Sequence, residues 1–198
     1  MSQNQSFILG SGSPRRRDLL NEAGYRFTVE PSAAEELHDP VMDVRELTKS
    51  NAKLKAEEVA NRFPSSVILA ADTLVAIGGQ VMGKPTDRKA ALEMISVLNG
   101  RTHQVMTGVC LMQKDSSIHL EHCEVTEVSF KSLSEEELGE YHQLINPIDK
   151  AGAYAAQEHG EVIIEKTTGS WSNVVGLPME AVKSMLGEFS IYPDQPLT

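Results

Sequence analysis

Eight residues near the start of the chain, Gly10-Ser11-Gly12-Ser13-Pro14-Arg15-Arg16-Arg17, have the types and the order of an anion-binding turn. They follow a short apolar run, Phe7-Ile8-Leu9, that reads as a strand. Glycines let the backbone turn sharply after it, Ser13 can cap a new helix, and Pro14 suits the first helical position, where no N–H is needed. Amide groups at a helix N-terminus point outward, and the helix dipole favours negative charge there. Three arginines in that first turn oppose the dipole, unless a phosphate chain takes their forked donors. Solvated arginines at an ordinary strand–turn–helix junction are the other reading of the same residues. Two familiar phosphate loops are excluded. A dinucleotide fingerprint would need a third glycine at position 15, which is Arg15. The Gly-Lys-Ser/Thr ending of a P-loop does not occur.

A second candidate is Asp72-Thr73, which follows the apolar run 67–71. A carboxylate at the carboxyl end of a buried strand stands where open α/β sheets bind ligands, and there it can hold a divalent cation or polarise a water. It can equally be a turn aspartate bonded to its own backbone. Lys84, in Gly83-Lys84-Pro85, is placed to meet a phosphate or to lie in solvent. Lys53 and Lys55 belong to the charged face of a long helix. In Asp149-Lys150-Ala151-Gly152-Ala153-Tyr154-Ala155-Ala156-Gln157, small residues permit close approach of a ligand, and the Gln157 amide can read a base edge. A small-residue packing turn is the alternative there. Trp171 either stacks on a base or serves as a core or surface anchor. His103, His119, His122, His142 and His159 make no metal spacing and receive no role.

These residues must be positioned by a chain of 198 residues carrying a net charge of −10, with 40% hydrophobic and 23% charged residues. That is enough for one large domain with a real core, and 1–198 is read as a single domain. The net negative charge disfavours nucleic acid and anionic membranes, so an anionic ligand must be drawn locally, which favours a small phosphorylated molecule. Cys110 and Cys123 stand apart and are expected to be reduced. Residues 1–5 carry no signal-peptide pattern, and no apolar run reaches membrane-spanning length, so a cytoplasmic location is expected.

The apolar patterning predicts strands over 7–9, 25–30 and 67–71, and a hairpin of 74–77 with 80–82 around Gly78-Gly79. Further strands are expected over 103–112, 118–133 and 161–167. Helices are predicted from Ser13 to residue 23, over 43–63 and 87–98, and from the Ser134/Glu137 capping box to 145. A last helix follows Pro178 to 186, and the tail after Phe189 is irregular. Segment 31–40 is a loop containing Glu35 and Glu36. Helices and strands alternate throughout, which gives an α/β or α+β class with a mixed, twisted sheet and flanking helices.

Taken together, Ser11-Gly12-Ser13-Pro14-Arg15-Arg16, Ala71-Asp72-Thr73, Gly83-Lys84-Pro85, Asp149-Lys150-Ala151-Gly152-Ala153-Tyr154 and Val175-Gly176-Leu177-Pro178 resemble the motifs of the Maf family of nucleoside triphosphate pyrophosphatases. The likeness runs from about Phe7 to Leu186. It implies an inosine-triphosphatase-like fold with two lobes around a nucleotide cleft. It also implies cleavage between the α- and β-phosphates and a divalent cation, Mg²⁺ or Mn²⁺. By the same resemblance Asp72 is the proton acceptor for the attacking water. Ser13 and Arg16 belong to the phosphate turn, and Lys55 and Lys84 face the phosphates. Glu36, or its neighbour Glu35, joins Asp72 at the metal. Arg15, Thr73 and Gln157 match the branch that prefers dTTP and UTP. The 7-methyl-GTP branch has an aromatic residue in place of Arg15 and a glutamate in place of Gln157. A homodimer is also implied. Two other functions fit the same residues: a nucleotide-binding regulator of cell division with little turnover, and a scavenger of non-standard purine triphosphates.

Overall fold

The computed structural model describes residues 6–116 and 118–194. Residues 1–5, Ser117 between the predicted strands 103–112 and 118–133, and the last four residues of the irregular tail lie outside them. The elements in chain order are β1 (Phe7–Leu9), α1 (Pro14–Glu22), β2 (Thr28–Val29), α2 (Val44–Arg62), β3 (Val67–Ile77), β4 (Gln80–Met82) and α3 (Arg88–Leu98). They continue with β5 (Thr102–Gln113), β6 (Ile118–Phe130), α4 (Glu135–Leu144), a 3₁₀ turn (Ala151–Ala153), α5 (Gly160–Ile163), β7 (Ile164–Thr168), α6 (Trp171–Val175) and α7 (Met179–Glu188). The seven strands form one mixed sheet in the order β2-β1-β3-β5-β6-β7, with β4 also on β3.

β3 organises the molecule. Along one edge it pairs with β5 from Ile68 to Ala76. On its other edge, Val67–Leu69 pairs in parallel with β1, and Val75–Ile77 pairs antiparallel with β4. Among the described residues no strand covers positions 70–74 between them, so the sheet has a notch at its centre, and Asp72 sits in that notch. The expected end of the strand at residue 71 is therefore corrected: the strand and the first arm of the hairpin are one eleven-residue element. A buried aspartate interrupts the apolar pattern without interrupting the ladder.

Alternation along β3 sends successive side chains to opposite faces. Ile68 and Ala70 face α2, packing with Ala52, Ala56, Val59, Cys110 and Met112. Leu69 and Ala71 face the other side, against Leu20 of α1 and Val182 and Leu186 of α7. A third apolar cluster, built on Val75, Ile95, Leu98, Phe130, Tyr141 and Tyr154, fills the far end of the sheet under α3 and α4. The notch thus lies between two cores on one continuous sheet.

Several expected boundaries move. The strand predicted over 25–30 shrinks to Thr28–Val29, because its neighbour β1 offers only three residues to pair with. The strand predicted to reach 133 ends at Phe130, after which the Lys131 amide donates to Ile163 O, outside the ladder. Residues 161–163, the start of the predicted 161–167 strand, belong instead to the helical turn Gly160–Ile163 after His159, whose φ of 58° ends the preceding segment in a left-handed conformation.

Candidate active site

The gap in the sheet is lined by groups that α2 brings to Asp72. Its approach is allowed by Gly108, the β5 residue paired with Asp72. A Cβ there would lie 2.3 Å from the Thr48 carbonyl carbon and 2.5 Å from the Lys49 amide nitrogen, so only glycine lets the helix backbone lie so near the strand. Asn51 and Lys55 follow Thr48 at helical spacing on the same face. Asn51 Nδ2 donates to Asp72 Oδ2 at 3.2 Å, and Lys55 Nζ donates to Asp72 Oδ1 at 2.7 Å. Asp72 is 4% exposed, and these two donors give its buried carboxylate the partners it requires.

Lys55 Nζ also donates to Glu36 Oε1 at 2.6 Å. Burial pushes the Glu36 carboxyl up, but the Lys55 hydrogen bond and the charges of Lys55, Lys84 and His38 outweigh it and hold Glu36 below its ordinary value. Glu36 lines the cavity; Glu35 does not, which distinguishes the two neighbours. Asn51 fixes the Glu36 loop as well, accepting from the Leu37 amide at 2.7 Å and donating to Leu37 O at 3.3 Å. Asn51 was not among the residues singled out in the sequence, since an asparagine on a helix face carries no signal there.

Two carboxylate oxygens meeting at one cationic nitrogen form a donor set that a hard divalent cation also takes, with phosphate oxygens and water completing its shell. Among the described residues no group of three His, Cys, Asp or Glu side chains is placed to hold a metal ion by itself. Asp72 and Glu36 therefore fit a cation that arrives with an oxygen-rich ligand.

The three arginines of the first turn have three different fates. Arg17 bonds to Asp18 at the surface. Arg16 spans the notch, donating from Nε to Gly176 O at 2.8 Å and from one terminal nitrogen to Ala71 O at 2.9 Å and Ser11 Oγ at 3.1 Å. Its other terminal nitrogen donates to Thr73 Oγ1 at 3.0 Å. These bonds use four of its five N–H groups, so Arg16 ties α1, β3 and the end of α6 together and keeps one donor for a ligand. Burial lowers its pKa, and the neighbouring Asp72 opposes that shift. Arg15 lines the same cavity and makes no hydrogen bond or ion pair among the described residues. Thr73 lies on the opposite face of β3 from Asp72, in a hydroxyl network with Thr107 at 3.0 Å. Ser13 occupies the N-cap position, but its hydroxyl makes no capping bond, contrary to the expectation.

The cavity has two connected parts. A polar part of about 360 Å³ is walled by the Gly10–Arg16 turn with Glu36, Lys55, Lys84 and Asp149. A larger part of about 780 Å³ shares Ser13, Arg15, Arg16, Glu36, Lys55, Lys84 and Asp149 with it. It adds Asp72, Thr73, Val75, Val81, Tyr154, Ala156 and Gln157. Lys84 is exposed and free of partners among the described residues. Gln157 is exposed at the rim of the larger part. All nine sequence-predicted site residues thus line one connected space. Lys53 pairs instead with Glu121, and Trp171 begins α6 half-exposed and touches neither cavity.

The model of the family described as Maf-like protein matches residues 6–189. A protein of Akkermansia muciniphila named dTTP/UTP pyrophosphatase is 43% identical over 180 residues, covering 90% of this chain and 94% of its own. Proteins of the same name from Symbiobacterium thermophilum and Bdellovibrio bacteriovorus are 41% and 37% identical over 189 residues each. The first covers 96% of both chains, and the second covers 93% of this chain and 98% of its own.

Proposed function

The chain belongs to the Maf family, and from that membership we propose that it hydrolyses nucleoside triphosphates, dTTP and UTP before others, to the monophosphate and pyrophosphate. The observation that carries this reading is the division of the cavity. A polar compartment with Arg15, Lys84 and the α1 N-terminus opens into an apolar one with Gln157 at its rim. A triphosphate suits the first compartment and a base the second.

Arg15, Lys84 and the Ser13 hydroxyl bind the outer phosphates, and Lys55 turns from Glu36 toward them. Arg16 holds the wall and offers its one remaining N–H. Asp72, buried and fixed by Asn51, accepts a proton from the attacking water as the water oxygen bonds to the α-phosphorus. The bond from that phosphorus to the bridging oxygen breaks, and its electron pair leaves with pyrophosphate. Asp72 and Glu36 would hold Mg²⁺ or Mn²⁺, which when bound polarises phosphate oxygens and offsets charge on the leaving group. Arg15, Thr73 and Gln157 favour pyrimidine substrates: a neutral amide at 157 can both donate to and accept from a pyrimidine edge, whereas a carboxylate only accepts.

The acidic net charge of −10 favours a free nucleotide over a polynucleotide as partner. Among the described residues no helix is long and apolar enough to cross a membrane. Free cysteines at 110 and 123 suit a reducing cytoplasm, and a homodimer is the assembly expected from the family resemblance.

Pyrophosphate release from dTTP, UTP, CTP, 7-methyl-GTP and ITP, measured with Mg²⁺ or Mn²⁺ and with Asp72→Ala alongside, tests the reading. Preference for dTTP and UTP that vanishes in the variant is the expected result. Turnover of 7-methyl-GTP or ITP instead would overturn the base preference. Nucleotide binding with no release would make the chain a regulator.

A further inference from the structure

Three consecutive residues leading to Gln157 are each held by a buried ring. The Tyr141 hydroxyl accepts from the Ala155 amide at 3.0 Å and donates to the Ala155 carbonyl at 3.1 Å. The next residue on α4, His142, bonds through Nε2 to Ala153 O at 3.0 Å, which makes that nitrogen the protonated donor. Between them, Tyr154 OH meets His103 Nε2 at 3.0 Å, and both rings pack edge-on against Phe130. Tyr141, His103, His142 and Tyr154 are all buried.

We infer that Tyr141 is a positioning residue for base selection: by closing both backbone groups of Ala155 it fixes the turn that presents Gln157 to the base compartment. This rests on the proposed reading of Gln157. Ala155 lies two residues before Gln157, and Ala155, Ala156 and Gln157 all line the larger cavity. Gln157 itself is exposed and bonded to nothing among the described residues, so its placement comes entirely from its backbone. That backbone departs from regular structure on both sides, with φ of 59° at Ala153 and 58° at His159. Non-glycine residues persist in that region only where their surroundings over-determine the conformation. Tyr141 supplies that determination at Ala155, two residues before Gln157. Its phenol is suited to the task because one hydroxyl can donate and accept at once. Removal of the hydroxyl leaves a buried N–H and a buried carbonyl without partners, which a segment relieves by moving. His142 and His103 act in the same direction on the two preceding residues.

The test compares kcat and KM for dTTP and CTP in the wild type, Tyr141→Phe, Gln157→Ala and the double variant, with hydrogen exchange of residues 153–157. Phenylalanine keeps the packing of Tyr141 and removes only the oxygen. In Tyr141→Phe the dTTP-to-CTP ratio of kcat/KM is expected to fall about threefold, no further than on removal of the Gln157 amide itself, mostly through KM and with kcat for dTTP nearly unchanged. Amides 155–157 should exchange faster, while those of β3 and β5 stay unchanged. In the Gln157→Ala background the same substitution should change the ratio no further, because residues acting through one contact are not additive. An unchanged ratio, unchanged exchange, or a full additional loss in the double variant would overturn the inference. If Tyr141→Phe does not fold, His142→Gln tests the same anchorage from Ala153 and must loosen 153–157 likewise. A wild type that fails to discriminate dTTP from CTP would remove the reading of Gln157. The exchange measurement would still decide whether Tyr141 holds the turn.

Discussion

The two compartments of the cavity are built by opposite means. On the phosphate side charges are exposed or shared: Arg15 and Lys84 stand free, and Lys55 divides itself between Glu36 and Asp72. On the base side the groups that fix residues 153–155, Tyr141, His142, His103 and Tyr154, are buried rings bonded to the backbone or to each other. The difference follows from what each must meet. A triphosphate brings its own charge and counter-ion, so side chains that can exchange partners serve it well. A base differs from its competitors by one or two hydrogen-bonding groups, and distinguishing them requires a rigid edge. The phosphate side is expected to govern rate, and the base side to govern choice.

The sharpest break on the phosphate side is Asp72→Asn. It keeps the shape and removes the proton acceptor, and kcat for every nucleotide is expected to drop by about a thousandfold, within the range for loss of a general base. Pyrophosphate release under saturating substrate checks it; a loss below tenfold would remove Asp72 from the chemistry. Next in size is Gly108→Ala. The added methyl would meet the α2 backbone at under 2.6 Å, so the helix must move and carry Lys55 and Asn51 away from Asp72. Overpacking of this kind costs about 1–3 kcal/mol, to be read from urea unfolding. A displacement of about 1 Å at the site is enough for roughly a hundredfold loss in kcat. Gly139→Ala, in the interior of α4 where a Cβ meets nothing within 4 Å, is the control: it should leave kcat unchanged and, as an unstrained helix substitution, raise stability by about 0.5–1 kcal/mol rather than lower it.

The neutral anchoring of the base side carries a pH signature. Burial holds the His103 imidazole down to about 4, against an ordinary value of 6.5. A base whose folded pKa is depressed favours the native state above its unfolded pKa, and that advantage is lost as pH falls from about 6.5 toward 4, where the unfolded chain binds a proton that the native one does not. The full span corresponds to about 3 kcal/mol. His142, lowered first by burial and then by Arg88, acts in the same sense. Unfolding free energies measured from pH 7 to 4 should decline over this window, and His103→Gln should flatten the decline. An unchanged slope in that variant would mean that His103 is not the neutral anchor.

The motif residues were legible in the chain because glycine, proline and charge mark turns locally. That is why Ser13, Arg15, Lys84 and Gln157 stand out in the sequence, and all four line the cavity. The fate of Arg16 is not legible from local residue chemistry: Arg15, Arg16 and Arg17 look alike there, and only Ala71 and Thr73 of β3 and Gly176 at the end of α6, two distant segments, make Arg16 a tie. The run through Asp72 was misread for the same reason. A buried carboxylate ends a strand unless something supplies its partners, and those come from Asn51 and Lys55 on a helix whose approach depends on Gly108 of another strand. Tyr141 and His142 fell on a helix that reads as ordinary core packing, and no periodicity reveals a hydroxyl closing both groups of a residue fourteen positions away. At residues 161–163 the apolar Val162 and Ile163 read as the start of a strand, but the left-handed His159 turns the chain into a helical turn first.

The free cations and the free amide give the two smallest effects, and their contrast separates the compartments most cleanly. Arg15→Ala and Lys84→Ala each remove a charge from the shared wall without disturbing any internal bond. KM for dTTP, UTP and CTP is then expected to rise together, by about tenfold each, and the rise should shrink as added salt screens the site in the wild type. Gln157→Ala removes no charge and no internal bond either. It should leave kcat nearly unchanged and lower the dTTP-to-CTP ratio of kcat/KM by about fivefold, because a hydrogen bond to a neutral group is worth only about 1 kcal/mol. The salt dependence should not move. If Gln157→Ala instead raised KM equally for all three nucleotides, the rim of the larger compartment would be contributing generic binding, and selection would have to come from the Thr73 side of the notch. If Lys84→Ala changed the nucleotide ratio, the shared wall would be reading the base as well, and the two compartments would have to be treated as one recognition surface.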